Sequence, residues 1–148
     1  MKIKIEEILN LDETEVIIKC NQADDQIKKI VSTLQMFNER LICKKNELTY
    51  SLFPNEIFYF ESIDNKVFAY TSKEVFDTMY KLYELENYLK ELFFIRVNKN
   101  TLVNSSKMMH FKSTINGRME VTLKNHETII VSRTYVSALK LILGGKTL

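Results

Sequence analysis

The chain has 148 residues, 45% of them apolar and 27% charged, enough for one domain with a real core and too apolar for disorder. No apolar run approaches the length that spans a bilayer, and the charged, alternating start Met1-Lys2-Ile3-Lys4-Ile5-Glu6-Glu7 reads as neither signal nor anchor, so a cytoplasmic protein is expected. The net charge of +2 hides an asymmetry: residues 93–148 hold nine Lys/Arg against two Asp/Glu, so one region of the chain is expected to meet an anionic partner, nucleic acid first, or else to be a solvated basic face.

In chain order, residues 2–8 alternate Ile3 and Ile5 with charges, and residues 14–20 are β-branched, so both read as strands. Ile27, Ile30, Val31 and Leu34 then mark one face of an amphipathic helix over about 24–37, with Asn21 or Asp24 as its cap. The first 45 residues therefore read as a short ββα unit. Strands follow at 47–53, 56–63, 66–71 and 74–79, broken by Pro54-Asn55, Asp64-Asn65 and Ser72-Lys73. Leu82, Leu85, Leu89 and Leu92 carry a second helix. Further strands fall at 94–97, 101–104, 108–115, 119–124 and 128–132, with Asn116-Gly117 as the strongest hairpin turn. Val136, Leu139 and Leu143 form a last helix, stopped by Gly144-Gly145. Strand dominance with singly inserted helices gives an α+β, mostly β fold.

Catalytic and metal-binding signatures are missing. His110 and His126 lack ligands at metal spacing, Cys20 and Cys43 form no Cys-x-x-Cys and read as free thiols, and no phosphate-binding or nucleophile motif occurs. No enzyme activity, metal, cofactor or small-molecule substrate is expected.

Five segments in order are more specific. They are Glu56-Ile57-Phe58-Tyr59-Phe60-Glu61-Ser62-Ile63-Asp64-Asn65-Lys66-Val67, Tyr83-Glu84-Leu85-Glu86, Phe94-Ile95-Arg96-Val97-Asn98-Lys99-Asn100-Thr101-Leu102-Val103-Asn104, Asn116-Gly117-Arg118, and Val131-Ser132-Arg133-Thr134-Tyr135. Together they resemble the LytTR DNA-binding domain of bacterial transcription regulators, over about residues 46–143. The resemblance implies small antiparallel sheets with a packed helix over 46–148, no helix-turn-helix, and loop side chains that enter successive major grooves of duplex DNA. The first 45 residues are similar to the leader of stand-alone members that lack a receiver domain, for which this chain has no room. Such regulators often accompany a small membrane protein encoded beside them.

Three loops match the family's base-reading positions: Asn65-Lys66, then Asn98-Lys99-Asn100 with Arg96 on the same face, then Ser132-Arg133-Thr134-Tyr135. Lys99 and Arg133 are the strongest base-reading candidates, since Lys and Arg reach the acceptors of guanine. Asn100 stands where the family usually has Ser. Arg118 reads as a phosphate contact or solvated charge, Lys107, Lys112 and Lys124 as general electrostatics, and Asn104 as a structural turn-former. Two other functions compete. An RNA-binding module would need stacking aromatics, of which only Tyr135 lies near the basic loops. A protein-interaction unit, or a homodimer through the ββα leader, would need the helix 24–37 stripe to be free; the alternative is that the stripe packs on its own strands.

Overall fold

The computed structural model describes residues 1–144, and Gly145, expected to help end the last helix, lies outside the described residues. Ten strands and three helices follow in the order α1 (Asp25–Met36), β1 (Leu41–Lys45), β2 (Leu48–Leu52), β3 (Tyr59–Ile63), β4 (Lys66–Tyr70), β5 (Val75–Thr78), α2 (Leu82–Tyr88), β6 (Phe94–Asn98), β7 (Thr101–Asn104), β8 (Met108–Ser113), β9 (Met119–Leu123), β10 (Thr128–Val131) and α3 (Arg133–Ile142). The fold is α+β and mostly β, as the sequence indicates. Every strand pairing is antiparallel. Seven strands form one sheet in the order β2-β1-β5-β4-β3-β7-β6, and β10-β9-β8 form a second.

Each layer has its own core. Phe60, Leu41, Ile57, Leu85, Leu89 and Leu102 are fully buried where α2 packs on the large sheet. Val97, Val103, Met119, Val121, Leu123 and Leu139 fill the space between the small sheet, α3 and the other side of β6 and β7. The β6–β7 hairpin therefore contributes to both cores, since alternate strand residues point to opposite faces. Asn104, at the end of β7, is fully buried: its Nδ2 donates to the Ile57 carbonyl at 3.0 Å, and its Oδ1 accepts from the Ser106 amide at 3.1 Å. This is the structural role its position suggests.

The tight turns follow the sequence chemistry. Asp64 and Asn65 both have positive φ (51° and 63°) between the paired Ile63 and Lys66, the backbone that a type I′ hairpin requires, whereas Asn116 and Gly117 (64° and 72°) fall in a three-residue loop closed by the Thr114 amide on the Arg118 carbonyl at 2.9 Å. At Gly117 a Cβ would lie 3.1 Å from the Arg133 side chain, which would have to shift by a few tenths of an ångström to admit it. Asn46 and Glu47 turn the β1–β2 hairpin with the same positive φ, though Glu carries no such signal.

The N-terminal reading needs correction. Residues 2–8 and 14–20 form no strand, and β1, which was not expected, pairs with β2 and β5. A two-stranded ribbon with no third strand is marginal in water, so an alternating pattern alone does not make one. By contrast α1 forms where expected, with the Asp24 side chain accepting from the Ile27 amide at 3.0 Å, and it buries Met36 in the large-sheet core. Its stripe is only half covered: Ile27 and Ile30 are half-buried, while Val31 and Leu34 are exposed. The segment expected as a strand over 56–63 begins with a 3-10 turn at Pro54–Glu56, closed by the Glu56 carboxylate on the Phe53 amide at 2.7 Å.

Candidate nucleic-acid interface

The β3–β4 turn and the β6–β7 turn lie at the same end of the large sheet. Strand pairing sets Glu61 opposite Thr101, and one step further the Ser62 amide donates to the Asn100 carbonyl at 2.8 Å. The β10–α3 junction joins them through two bonds from the other sheet. The Asn98 amide Nδ2 donates to the Ile130 carbonyl at 3.0 Å, and the Ser132 amide donates to the Val97 carbonyl at 2.9 Å. The fourth turn arrives through packing, since the Arg133 methylenes lie directly against Gly117. Four turns far apart in sequence thus form one surface.

On that surface the candidates divide into presenters and holders. Asn65, Lys66, Lys99, Asn100, Arg118, Arg133 and Thr134 are exposed. Among the described residues, Lys66, Lys99, Arg118 and Arg133 enter no ion pair or side-chain hydrogen bond, so four cations face solvent with their donors free. Arg96 is different. Its Nε and Nη2 hold one Glu86 carboxylate oxygen at 3.0 and 2.8 Å, and its Nη1 donates to the Lys99 carbonyl at 2.7 Å. With three donors occupied and its side chain only 16% exposed, Arg96 braces the backbone beneath Lys99. Asn98 spends both ends of its amide, since its Oδ1 also accepts from the Asn100 amide at 2.9 Å.

The third loop shows the same division. Ser132 sits at the cap position of α3, yet its hydroxyl makes no capping bond, so the first amides of α3 have no side-chain acceptor there. Tyr135 is half-buried and packs against the small-sheet core. The holder that sequence reasoning overlooked is Glu86. It closes the Tyr83–Glu86 motif, and the one available signal was a carboxylate in the same motif series as an arginine.

The remaining basic residues lie elsewhere. Lys112 on β8 pairs with Glu120 at 3.4 Å. Lys107 extends over the Phe58 ring at 5.2 Å, and burial, with Lys124 nearby, lowers its pKa. Among the described residues no three His, Cys, Asp or Glu side chains are placed to hold a metal ion, and no helix is long and apolar enough to cross a membrane.

Uncharacterized HTH-type transcriptional regulators of Staphylococcus aureus strains NCTC 8325 and COL are each 25% identical over 142 residues, covering 93% of this chain and 96% of the relative. Among the described residues of this chain no two helices follow one another without intervening strands, so a helix-turn-helix is absent. A solved LytTr DNA-binding domain from Bacillus cereus superposes with a TM-score of 0.67 at 22% identity, covering 71% of this chain and 96% of that one. The family model of the LytTr DNA-binding domain matches residues 47–144. The chain belongs to the LytTr DNA-binding domain family.

Proposed function

We propose that this protein regulates transcription by binding duplex DNA sequence-specifically, reading the major groove through its turns. Lys99 and Arg133 contact base edges, Asn65 and Lys66 read an adjoining step, and Arg118 with the uncapped amides of α3 takes phosphates. Arg96, Asn98 and Ser132 act one step back, by fixing where the reading side chains stand.

The observation that carries this reading is the hydrogen-bonded union of the turns with four unpaired cations on one face. Groove reading needs side chains held in register with the base pairs, and a loop that moves freely would lose discrimination to entropy. α3 does not suit a recognition helix, because Leu139 is buried and Lys140 is the one cation in its body beyond Arg133. Binding to duplex DNA followed by fluorescence anisotropy across a salt series tests the proposal. Contact with about six phosphates predicts a loss of roughly three decades in affinity between about 50 and 200 mM salt. A flat response, or tighter binding to single-stranded RNA, overturns it.

A further inference from the structure

Outside the DNA-facing end, the largest unexplained feature is the N-terminal segment. Residues 1–37 contain Ile3, Ile5, Val16, Ile17, Val31 and Phe37, all exposed, with Ile3 at 78% and Ile5 at 86%. Residues 1–4 and 16–19 lie along the apolar face of α1, and a solvent-open groove of about 590 Å³ runs between them and Ile27, Ile30 and Leu34. The groove is open to solvent, so within one copy its apolar lining has no covering layer. The α1 end is nevertheless firmly attached to the DNA-binding domain. Met36 is in the core, Glu39 accepts a hydrogen bond from the Tyr88 hydroxyl, and the Arg40 guanidinium stacks on the Phe53 ring at 3.4 Å.

We propose that residues 2–8 pair antiparallel with the same residues of a second copy, and that the two leaders together close the apolar layer over α1. The sequence is self-complementary in one register. With Ile5 facing the second copy's Ile5 across the two-fold axis, Lys4 of each copy stands opposite Glu6 of the other; Ile3 then meets Glu7 and Lys2 meets Ile8 at the two ends, and no like charges oppose. Moving the register by two residues in one direction sets Lys4 against Lys4, and in the other Glu6 against Glu6. Odd shifts set Ile5 against Lys4 or Glu6 instead of against Ile5, and in-register parallel pairing opposes every charge to itself. Pairing also explains why a segment with strand alternation forms no strand alone: its missing partner is the second copy. A surface built this way, fixed to the DNA-binding domain through α1, would set the spacing of two DNA half-sites.

Sedimentation velocity on the full chain without DNA tests this separately from any DNA reading. The wild type is expected to be a dimer at micromolar concentration. Lys4→Glu and Glu6→Lys each put like charges opposite one another at two symmetry-related places, so each alone is expected to weaken dimerisation at least about tenfold. An equimolar mixture of the two variants is the decisive sample. In the mixed dimer both cross-copy pairs become opposite in sign, whereas the pairing of Lys4 with Glu6 inside one chain stays broken in both variants. The mixture is therefore expected to recover wild-type association. Circular dichroism melts confirm that each variant is folded, as expected for side chains 77% and 69% exposed. A monomeric wild type, unaffected single variants, or a mixture that stays monomeric overturns the proposal.

Discussion

Asn98→Ala separates the holders from the presenters. The substitution removes the Nδ2 bond to Ile130 at 3.0 Å and the Oδ1 bond from Asn100 at 2.9 Å, which tie the β6–β7 turn to the other sheet and to itself. A typical intramolecular hydrogen bond contributes about 0.5–1.5 kcal/mol net, and both abandoned partners can turn to water at this partly open site, so the total falls at about 1–2 kcal/mol. For a chain of this length that corresponds to a melting-temperature drop of roughly 2–8 °C. Lys99→Ala next door should melt within about 0.5 kcal/mol of wild type, because its exposed side chain makes no bond among the described residues. Thermal unfolding by circular dichroism reads the difference, with duplex binding measured below the transition. Asn98→Ala should weaken specific binding by freeing the turn that carries Lys99. A wild-type melt together with lost discrimination would show that Asn98 touches a base directly, and would refute its assignment as a brace.

Two further outcomes follow from the buried and bonded groups. Burial pushes the Cys43 thiol up to about 11 whereas Cys20 is exposed, so a thiol reagent near pH 8 should label one site per native chain and two in denaturant, as read by intact mass. The hydrogen bond to Glu39 pushes Tyr88 up to about 12 from 10. A raised phenol pKa in the folded state gives stability that is complete below pH 10 and is lost as pH rises to 12. Urea midpoints measured across that interval should fall less in Tyr88→Phe than in wild type, and identical falls would remove the Tyr88–Glu39 bond from the account.

Much of the architecture was legible because the local signals were strong and mutually consistent. Alternating apolar residues with Asp64-Asn65 or Asn116-Gly117 between them admit few structures other than hairpins, and the leucine spacing at 82–92 placed α2 within a turn. The leader misled for the opposite reason. Ile3 and Ile5 alternate as well as any strand in the chain, but alternation prepares a face for burial and supplies no neighbour to hydrogen-bond. Leu41–Lys45 shows the reverse, where two buried residues, Leu41 and Cys43, and two neighbouring strands make β1 from an unremarkable sequence. At the candidate interface the turns are visible in the sequence, while the contacts that tie them together are not. Arg96, Lys99 and Arg133 look alike as letters. Glu86, ten positions away on α2, pairs with the first, and no spacing rule announces that contact. The packing of Tyr135, the aromatic nearest the basic loops, against the core under α3 is likewise invisible in the sequence.

The central claim is that the turns read sequence, and it is tested most directly by the ratio of specific to random duplex binding in three folded variants. The specific duplex is first found by protection mapping on the gene's own upstream region. Lys99→Ala and Arg133→Ala should each cost about 1–3 kcal/mol on that duplex and little on random DNA, since a lost base-edge contact removes discrimination. Lys112→Ala, on β8 and paired with Glu120, should change both affinities modestly and equally. If Lys99→Ala and Arg133→Ala leave the ratio at the wild-type value in protein that melts normally, the turns do not read bases and the account is contradicted.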